Sequence, residues 1–150
     1  DVNKRQATKF GLPFRHVPTY LAGYYKYKAG DQFTEGGKPV NGKRDICDIY
    51  AIMYETSESV PTLDGTNAFT SPNLVSIARI DDAKETDEWT YFKLPFHMLS
   101  GKYIDKEKLT AGKYNVAIVF TSSLEGDHFN GAIGSTLLID EDELIYHSED

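Results

Sequence analysis

Residues 112–146 read GKYNVAIVFTSSLEGDHFNGAIGSTLLIDEDELIY, and this stretch decides the fold. It contains two apolar segments joined by a loop rich in glycine and acidic residues. In the first segment, 114–121, large apolar residues alternate with small or polar ones, which predicts a strand near the middle of a sheet. The second segment, 137–146, is interrupted by four acidic residues at 140–143. Simple alternation fails there, so we expect a β-bulge or a change of exposed face.

Most of the remaining chain is also typical of strands. Four further segments have strand composition: 20–28, 46–55, 74–80 and 89–96. Long loops separate them, which fits crossing connections better than a series of tight hairpins. The fold prediction is therefore an all-β, antiparallel, two-sheet β-sandwich of jelly-roll or Greek-key topology.

Two regions depart from this strand pattern. Residues 1–19 are expected to form an irregular lead-in, because Pro13 and Pro18 each remove a backbone donor. Residues 105–112 predict one helical turn, with Asp105 as the N-cap and Gly112 as the stop.

Composition sets the class of protein and excludes several functions. A length of 150 residues suits one domain, 1–150. Acidic residues outnumber basic ones by 23 to 16, and the net charge of -7 disfavours nucleic acid or an anionic lipid surface as a partner. No apolar stretch is long enough to cross a membrane. The single cysteine, Cys47, excludes an internal disulfide and is expected to be a small buried residue.

Motifs for several common chemistries are missing from the sequence. The four histidines, at positions 16, 97, 128 and 147, show no zinc-type spacing. The glycines near the end of the chain lack the lysine of a phosphate-binding loop, and Ser122 and Ser123 lack the context of a serine nucleophile.

One cluster of carboxylates in the sequence could bind a metal ion or catalyse a reaction. Glu125, Asp127 and the acidic residues at 140–143 could hold Ca²⁺, which prefers oxygen ligands, or could simply be solvated. The same carboxylates could act as the acid and nucleophile of a glycoside hydrolase. Asp48 lies on an otherwise apolar strand face and is expected to be solvated or paired with Lys43 or Arg44.

Six ordered blocks between residues 9 and 146 resemble a known family. The most specific are GYYKY at 23–27, DIYA at 48–51 and FNGAIGSTLLID at 129–140. Together they are similar to the family of Bacteroidetes surface lipoproteins called the putative carbohydrate metabolism domain. The resemblance implies a jelly-roll similar to carbohydrate-binding modules, at the C-terminal end of a longer lipoprotein.

The resemblance also implies a function and a location. It favours a non-catalytic, carbohydrate-binding or carbohydrate-associated domain linked to polysaccharide use, on the extracellular face of the outer membrane or in the periplasm. Its partners would be a polysaccharide or oligosaccharide and other surface proteins of the same glycan system. The alternative is a scaffold domain that binds other proteins, and a glycoside hydrolase is the less favoured third hypothesis.

Candidate site residues follow from the resemblance and from the aromatic excess of ten tyrosines and eight phenylalanines. Aromatic rings stack on the C–H surfaces of sugars, and we expect Tyr24, Tyr50 and Trp89 to form a sugar-binding surface. Asp140 matches the position of a final-strand carboxylate that binds structural calcium in jelly-roll modules. Asp140 and Asp127 are therefore the predicted ligands of a Ca²⁺ ion.

Overall fold

The computed structural model describes residues 6–9, 16–57, 69–125 and 130–146, with the backbone alone at 6–9. The strands are β1 (Gln6–Lys9), β2 (Pro18–Lys28), β3 (Phe33–Glu35), β4 (Lys38–Val40), β5 (Asp48–Glu55), β6 (Leu74–Arg79), β7 (Thr86–Pro95), β8 (His97–Met98), β9 (Tyr114–Thr121), β10 (Gly131–Ala132) and β11 (Thr136–Tyr146). One short helix, α1 (Lys106–Thr110), follows Asp105, whose side chain caps it as predicted. The all-β prediction is confirmed.

Two antiparallel sheets enclose the main core. One has five strands in the order β1-β9-β5-β6-β8, and the other has three in the order β11-β2-β7. Buried side chains from both sheets form one cluster, which includes Leu21, Tyr25, Phe92, Met53 and Ile118. This is the β-sandwich that the alternating segments predicted.

Strands that are neighbours in space are distant in sequence. β2 pairs with β7 on one side and with β11 on the other, so both ends of the chain contribute to one small sheet. β9 lies between β1 and β5, which confirms that 114–121 is a central strand. A central strand is covered on both faces, and Val116 and Val119 are accordingly both buried.

The irregular lead-in was predicted too long. Residues 6–9 form β1 and pair with β9, and β2 already begins at Pro18, which pairs with Tyr146. Proline is tolerated as the first residue of a strand because its missing N–H removes no ladder bond inside the strand.

The predicted irregularity in the last strand is a β-bulge. The pairing of β11 with β2 shifts register between Asp140 and Glu143, and Glu141 adopts a positive φ of 51°. Gly23 of β2 provides room for this backbone, because a Cβ at that position would lie 3.1 Å from Asp142 Cα and 2.9 Å from the Phe92 ring. The bulge keeps Ile139 and Leu144 against the core on either side of the acidic run.

A third, small sheet caps one end of the sandwich. β10, β3 and β4 pair in that order, and Gly36 and Gly37 turn the chain between β3 and β4 with φ values of 55° and 83°. Glycine tolerates such positive φ values without strain. No helix in the described part of the chain is long and apolar enough to cross a membrane.

Candidate functional site

The outer face of the sheet β11-β2-β7 carries the aromatic residues that the core does not use. Along β2, Leu21, Tyr25 and Tyr27 are buried against the core. The alternate residues Tyr24 and Lys26 point to the opposite face and remain partly exposed. Strand alternation thus divides the tyrosine-rich segment between the core and an open surface.

Tyr24 and Tyr91 form the centre of this face. They are directly opposite each other in the pairing of β2 with β7, and their ring centroids are 5.2 Å apart with the planes tilted by 56°. Tyr91 is 52% exposed. The pair therefore exposes aromatic surface to solvent and is not part of the core.

Trp89 lies on the same face because it is two residues from Tyr91 along β7, and the strand bulges beyond it. Tyr25 pairs with Thr90 and Tyr27 with Thr86, so extra residues of β7 are accommodated between these two pairs. Thr86 Oγ1 donates to the Glu88 carbonyl at 3.0 Å, and Thr90 Oγ1 donates to the same carbonyl at 3.1 Å. These bonds hold the bulge, and Trp89 is 45% exposed. We call Tyr24, Trp89 and Tyr91 the platform.

Two lysines lie over rings of this face. Lys26 Nζ is 4.7 Å from the centroid of the Trp89 ring, and Lys93 Nζ is 4.4 Å from that of Tyr20. Neither ammonium forms an ion pair with a carboxylate of the described residues. The outer face therefore combines aromatic rings with two positive charges that no described carboxylate pairs with.

Carboxylates border the platform on the β11 side. Asp140 is directly opposite Tyr24 in the pairing of β11 with β2, and Glu143 is opposite Ala22. Asp140 Oδ1 accepts a hydrogen bond from the backbone N–H of Glu141 at 2.9 Å. The pairing of β11 with β2 thus places acceptor groups beside the aromatic rings.

The structure describes one of the two predicted metal ligands. Asp140 is exposed on β11, and Asp127 lies outside the described residues. Among the residues that the structure describes, no group of three or more His, Cys, Asp or Glu side chains is arranged to hold a metal ion. Calcium binding by Asp140 and Asp127 stays a prediction.

Tyr50 does not join the platform. It is 0% exposed, and its ring packs at 4.7 Å between centroids against Phe69 on the other face of the five-stranded sheet. A ring buried in this way has no face available to a sugar. Local alternation does not indicate this burial, because the second face of β5 is covered by residues distant along the chain.

Tyr91 and Lys26 are the residues that the sequence hypothesis missed. The signal for Tyr91 was present, since Trp89, Tyr91 and Lys93 alternate with the apolar residues of the same strand. Lys26 gave no such signal, because its position over Trp89 depends on the pairing of β2 with β7.

A second polar cluster is buried near the end of β9. Asp45 Oδ2 accepts hydrogen bonds from Ser123 Oγ and Ser135 Oγ, both at 2.6 Å, and from the Ala132 N–H at 3.0 Å. Asp45 is 3% exposed and Ser123 is 0% exposed. Because both hydroxyl protons point to a buried carboxylate, the cluster joins three chain segments and presents no nucleophile to solvent.

Tyr27 extends the same buried region. Burial raises the pKa of its phenol far above the usual range, so the hydroxyl stays protonated. It donates a hydrogen bond to the Ser122 carbonyl at 2.6 Å. The contact helps to fix the end of β9 against β2.

A groove of about 510 Å³ lies near the start of β2, away from the platform. Its lining is mainly apolar and includes Val17, Phe96, Met98 and Tyr103. Tyr103 is 73% exposed, so it can serve as a control for an exposed aromatic residue outside the platform.

Comparison with known proteins identifies the family. A family described as "Putative carbohydrate metabolism domain" matches residues 2–145. The chain belongs to this family. No curated protein matches the chain significantly.

Two solved structures resemble this putative carbohydrate metabolism domain. One, described as a putative glycoside hydrolase from Bacteroides thetaiotaomicron, is 97% identical with a TM-score of 0.89, and the match covers 94% of this chain and 41% of that one. The other, described as a putative glycoside hydrolase from Bacteroides vulgatus, is 49% identical with a TM-score of 0.84, and the match covers 93% of this chain and 56% of that one. This chain therefore spans less than two thirds of either protein.

Proposed function

We propose that this domain binds carbohydrate without cleaving it, on a bacterial cell-surface protein linked to polysaccharide use. The observation that carries the proposal is the exposed platform of Tyr24, Trp89 and Tyr91 on one sheet face. The family's carbohydrate description supports the same class of ligand.

The platform has the chemistry of a sugar-binding surface. Indole and phenol rings have apolar faces that stack on the C–H side of a pyranose, while the phenol hydroxyls can form hydrogen bonds with sugar hydroxyls. Burying such rings in the core would have stabilised the fold, yet Trp89 and Tyr91 remain about half exposed. Exposed aromatic clusters of this kind mark binding surfaces.

Polar groups next to the rings would provide orientation. Asp140 is opposite Tyr24 on β11 and can accept hydrogen bonds from sugar hydroxyls, and Lys26 can donate to ring or hydroxyl oxygens. The platform lies on an open sheet face, so a polysaccharide chain could extend beyond it in both directions. We therefore propose an internal segment of a polysaccharide or an oligosaccharide as the ligand.

The location and protein partners belong to the same proposal. A domain that captures polysaccharide would act on the extracellular face of the outer membrane or in the periplasm, beside other proteins of the glycan system. Calcium held by Asp140 and Asp127 would be structural and would stiffen the acidic border of the platform.

A glycan array tests the proposal directly. The purified domain is screened against plant, host and microbial polysaccharides, once with calcium and once with a chelator. Binding that is lost in Trp89→Ala and Tyr91→Ala, but kept in Tyr103→Ala, supports the platform. No binding on a broad array contradicts the proposal and favours a scaffold that binds other proteins.

Glycoside hydrolysis is the second candidate, because both solved relatives are described as putative glycoside hydrolases. Such an enzyme needs two carboxyl groups on opposite sides of the scissile bond. Asp140 beside Tyr24 is one candidate, and Asp127 is the second carboxylate that the sequence suggests. Release of reducing sugar that is abolished by Asp140→Asn and by Asp127→Asn would favour hydrolysis over simple binding.

A further inference from the structure

We infer that the glycan bound by the platform is anionic and that Lys26 and Lys93 recognise its charged groups. The inference rests on the proposed function of the platform and specifies its ligand class. It starts from the two ammonium groups that lie over platform-face rings at 4.7 Å and 4.4 Å.

Lys26 and Lys93 differ from the lysines and arginines that the protein's own carboxylates neutralise. The chain has a net charge of -7, and five of its described cations form ion pairs with carboxylates: Lys43, Arg44, Arg79, Lys84 and Lys108. Lys26 and Lys93 form none with the described residues, although Asp140 and Glu143 lie on the neighbouring strand of the same face. Other described lysines at the surface also form no ion pair with a described carboxylate, but Lys26 and Lys93 combine this with a position over a ring of the outer face. The aromatic face therefore holds two ammonium groups that form no ion pair with the described carboxylates.

Each ammonium also lies over an aromatic ring, and this position affects which ligand can stack there. A neutral sugar that stacks on the covered face of Trp89 must displace the Lys26 ammonium and lose its attraction to the ring. A sugar with a carboxylate can instead pair with the displaced ammonium while its C–H face contacts the indole. The lysine therefore favours an anionic ligand over a neutral ligand of the same shape.

The spacing of the two lysines suggests a chain as the ligand. Lys26 lies two residues from Tyr24 along β2, and Lys93 lies two residues from Tyr91 in the opposite direction across the platform. Four residues of strand correspond to roughly 13 Å, which is longer than one sugar ring. An oligosaccharide with charges on separate rings would reach both ammonium groups.

The acidic border sets the orientation of this ligand. Asp140 and Glu143 on β11 would repel an anionic group and would accept hydrogen bonds from uncharged hydroxyls. The charged groups of the glycan therefore lie near Lys26 on β2 and Lys93 on β7, and its uncharged hydroxyls lie near Asp140 and Glu143 on β11. This division of charge across three adjacent strands distinguishes the face from a uniformly basic surface.

The test compares ligands that differ only in charge. Binding of oligogalacturonate is measured by calorimetry beside its methyl ester, in which each carboxylate is neutral, and beside a sulfated glycan. We expect Lys26→Met to weaken oligogalacturonate binding about fivefold, and the Lys26→Met and Lys93→Met double variant more strongly. Methionine keeps an apolar stem over the ring, and Lys106→Met on α1 is the control for loss of a surface charge elsewhere.

Each outcome has a distinct meaning. Binding of the carboxylated or the sulfated glycan that falls in the two lysine variants, but not in Lys106→Met, supports the inference and identifies the anionic group. Equal or tighter binding of the neutral ester through Trp89 overturns the inference and leaves the proposed function intact. Binding of no glycan, charged or neutral, contradicts both.

Discussion

The Arg79 guanidinium forms two hydrogen bonds to the buried carboxylate of Asp48, from Nε to Oδ1 at 3.1 Å and from Nη2 to Oδ2 at 2.7 Å. The Asp48 side chain is 2% exposed and that of Arg79 is 39% exposed. The guanidinium also lies 4.3 Å from the centroid of the Phe69 ring. A carboxylate in this position depends on its partner, because burial without an opposite charge is unfavourable.

Removal of Arg79 should therefore destabilise the domain. We expect Arg79→Met to lower the free energy of unfolding by about 2 kcal/mol, less than for a fully buried pair because the guanidinium is partly solvated. Arg44→Met is the control, since Arg44 pairs with Glu85 at the surface and should cost less than about 1 kcal/mol. Urea denaturation measures both, and equal losses would contradict the assigned role of Asp48.

The partner of Asp48 in this ion pair was not predictable from the sequence. The sequence indicated that Asp48 was unusual on its strand, and it suggested Lys43 or Arg44 as partners because they are near in the chain. The actual partner is on β6, where Arg79 pairs with Tyr50, and strand register between distant segments is not encoded in local alternation. The strands themselves were predictable because their apolar periodicity is local.

The sequence predicts the candidate site residues without information on strand register. The structure places Tyr24 and Trp89 on one face with Asp140 opposite Tyr24, and their role in sugar binding stays a prediction. Tyr50 was misplaced because alternation separates the two faces of a strand without indicating which face a second layer covers. The contact between Lys26 and Trp89 depends on the register of β2 with β7, which no local pattern indicates.

The buried carboxylate of Asp45 provides a second test of stability. Asparagine has the same shape but only one acceptor oxygen. It cannot accept both the hydrogen bonds that Ser123, Ser135 and Ala132 donate to Oδ2 and the one that the Ile46 N–H donates to Oδ1. We expect Asp45→Asn to cost about 2 to 3 kcal/mol, because buried donors lose their acceptor. Thermal unfolding measures the change beside Asp87→Asn, an exposed residue of β7 that should have little effect. A similar loss in both variants would show that the cluster is not stabilising.

The bulge in β11 predicts a side-chain preference at Glu141. Its φ of 51° is unfavourable for branched side chains, whereas glycine adopts it freely. We expect Glu141→Val to lower stability by about 1 to 2 kcal/mol and Glu141→Gly to be nearly neutral. Glu143→Val is the control on the same strand, and equal thermal midpoints for the two valine variants would argue against the bulge.

The thiol of Cys47 predicts how stability changes at high pH. Burial, with a further contribution from Asp48, raises its pKa from 9.0 to about 12. Between these values the unfolded chain releases the proton and the folded protein retains it. The thiol's contribution to stability is therefore complete below pH 9 and is lost as the pH rises towards 12, by up to about 1.4 kcal/mol per pH unit.

Two measurements check this prediction. Cys47→Ala should flatten the loss of stability above pH 9, and the native thiol should react slowly with iodoacetamide at pH 8 while the unfolded chain reacts readily. An unchanged alkaline stability profile in Cys47→Ala would contradict the assigned shift.

The buried Tyr50 and the exposed platform residues should have different roles, the first in stability and the second in glycan binding. Tyr50 is fully buried, so Tyr50→Ala should lower the free energy of unfolding by about 3 to 5 kcal/mol. Trp89→Ala and Tyr91→Ala remove half-exposed rings and should change it by less than about 1 kcal/mol, yet each should weaken glycan binding by about 1 to 3 kcal/mol. Tyr103→Ala, which removes an exposed ring elsewhere, should affect neither property. Denaturation and calorimetry on the same four variants test the assignment, and it fails if the platform variants lose stability as Tyr50→Ala does while their glycan affinity is unchanged.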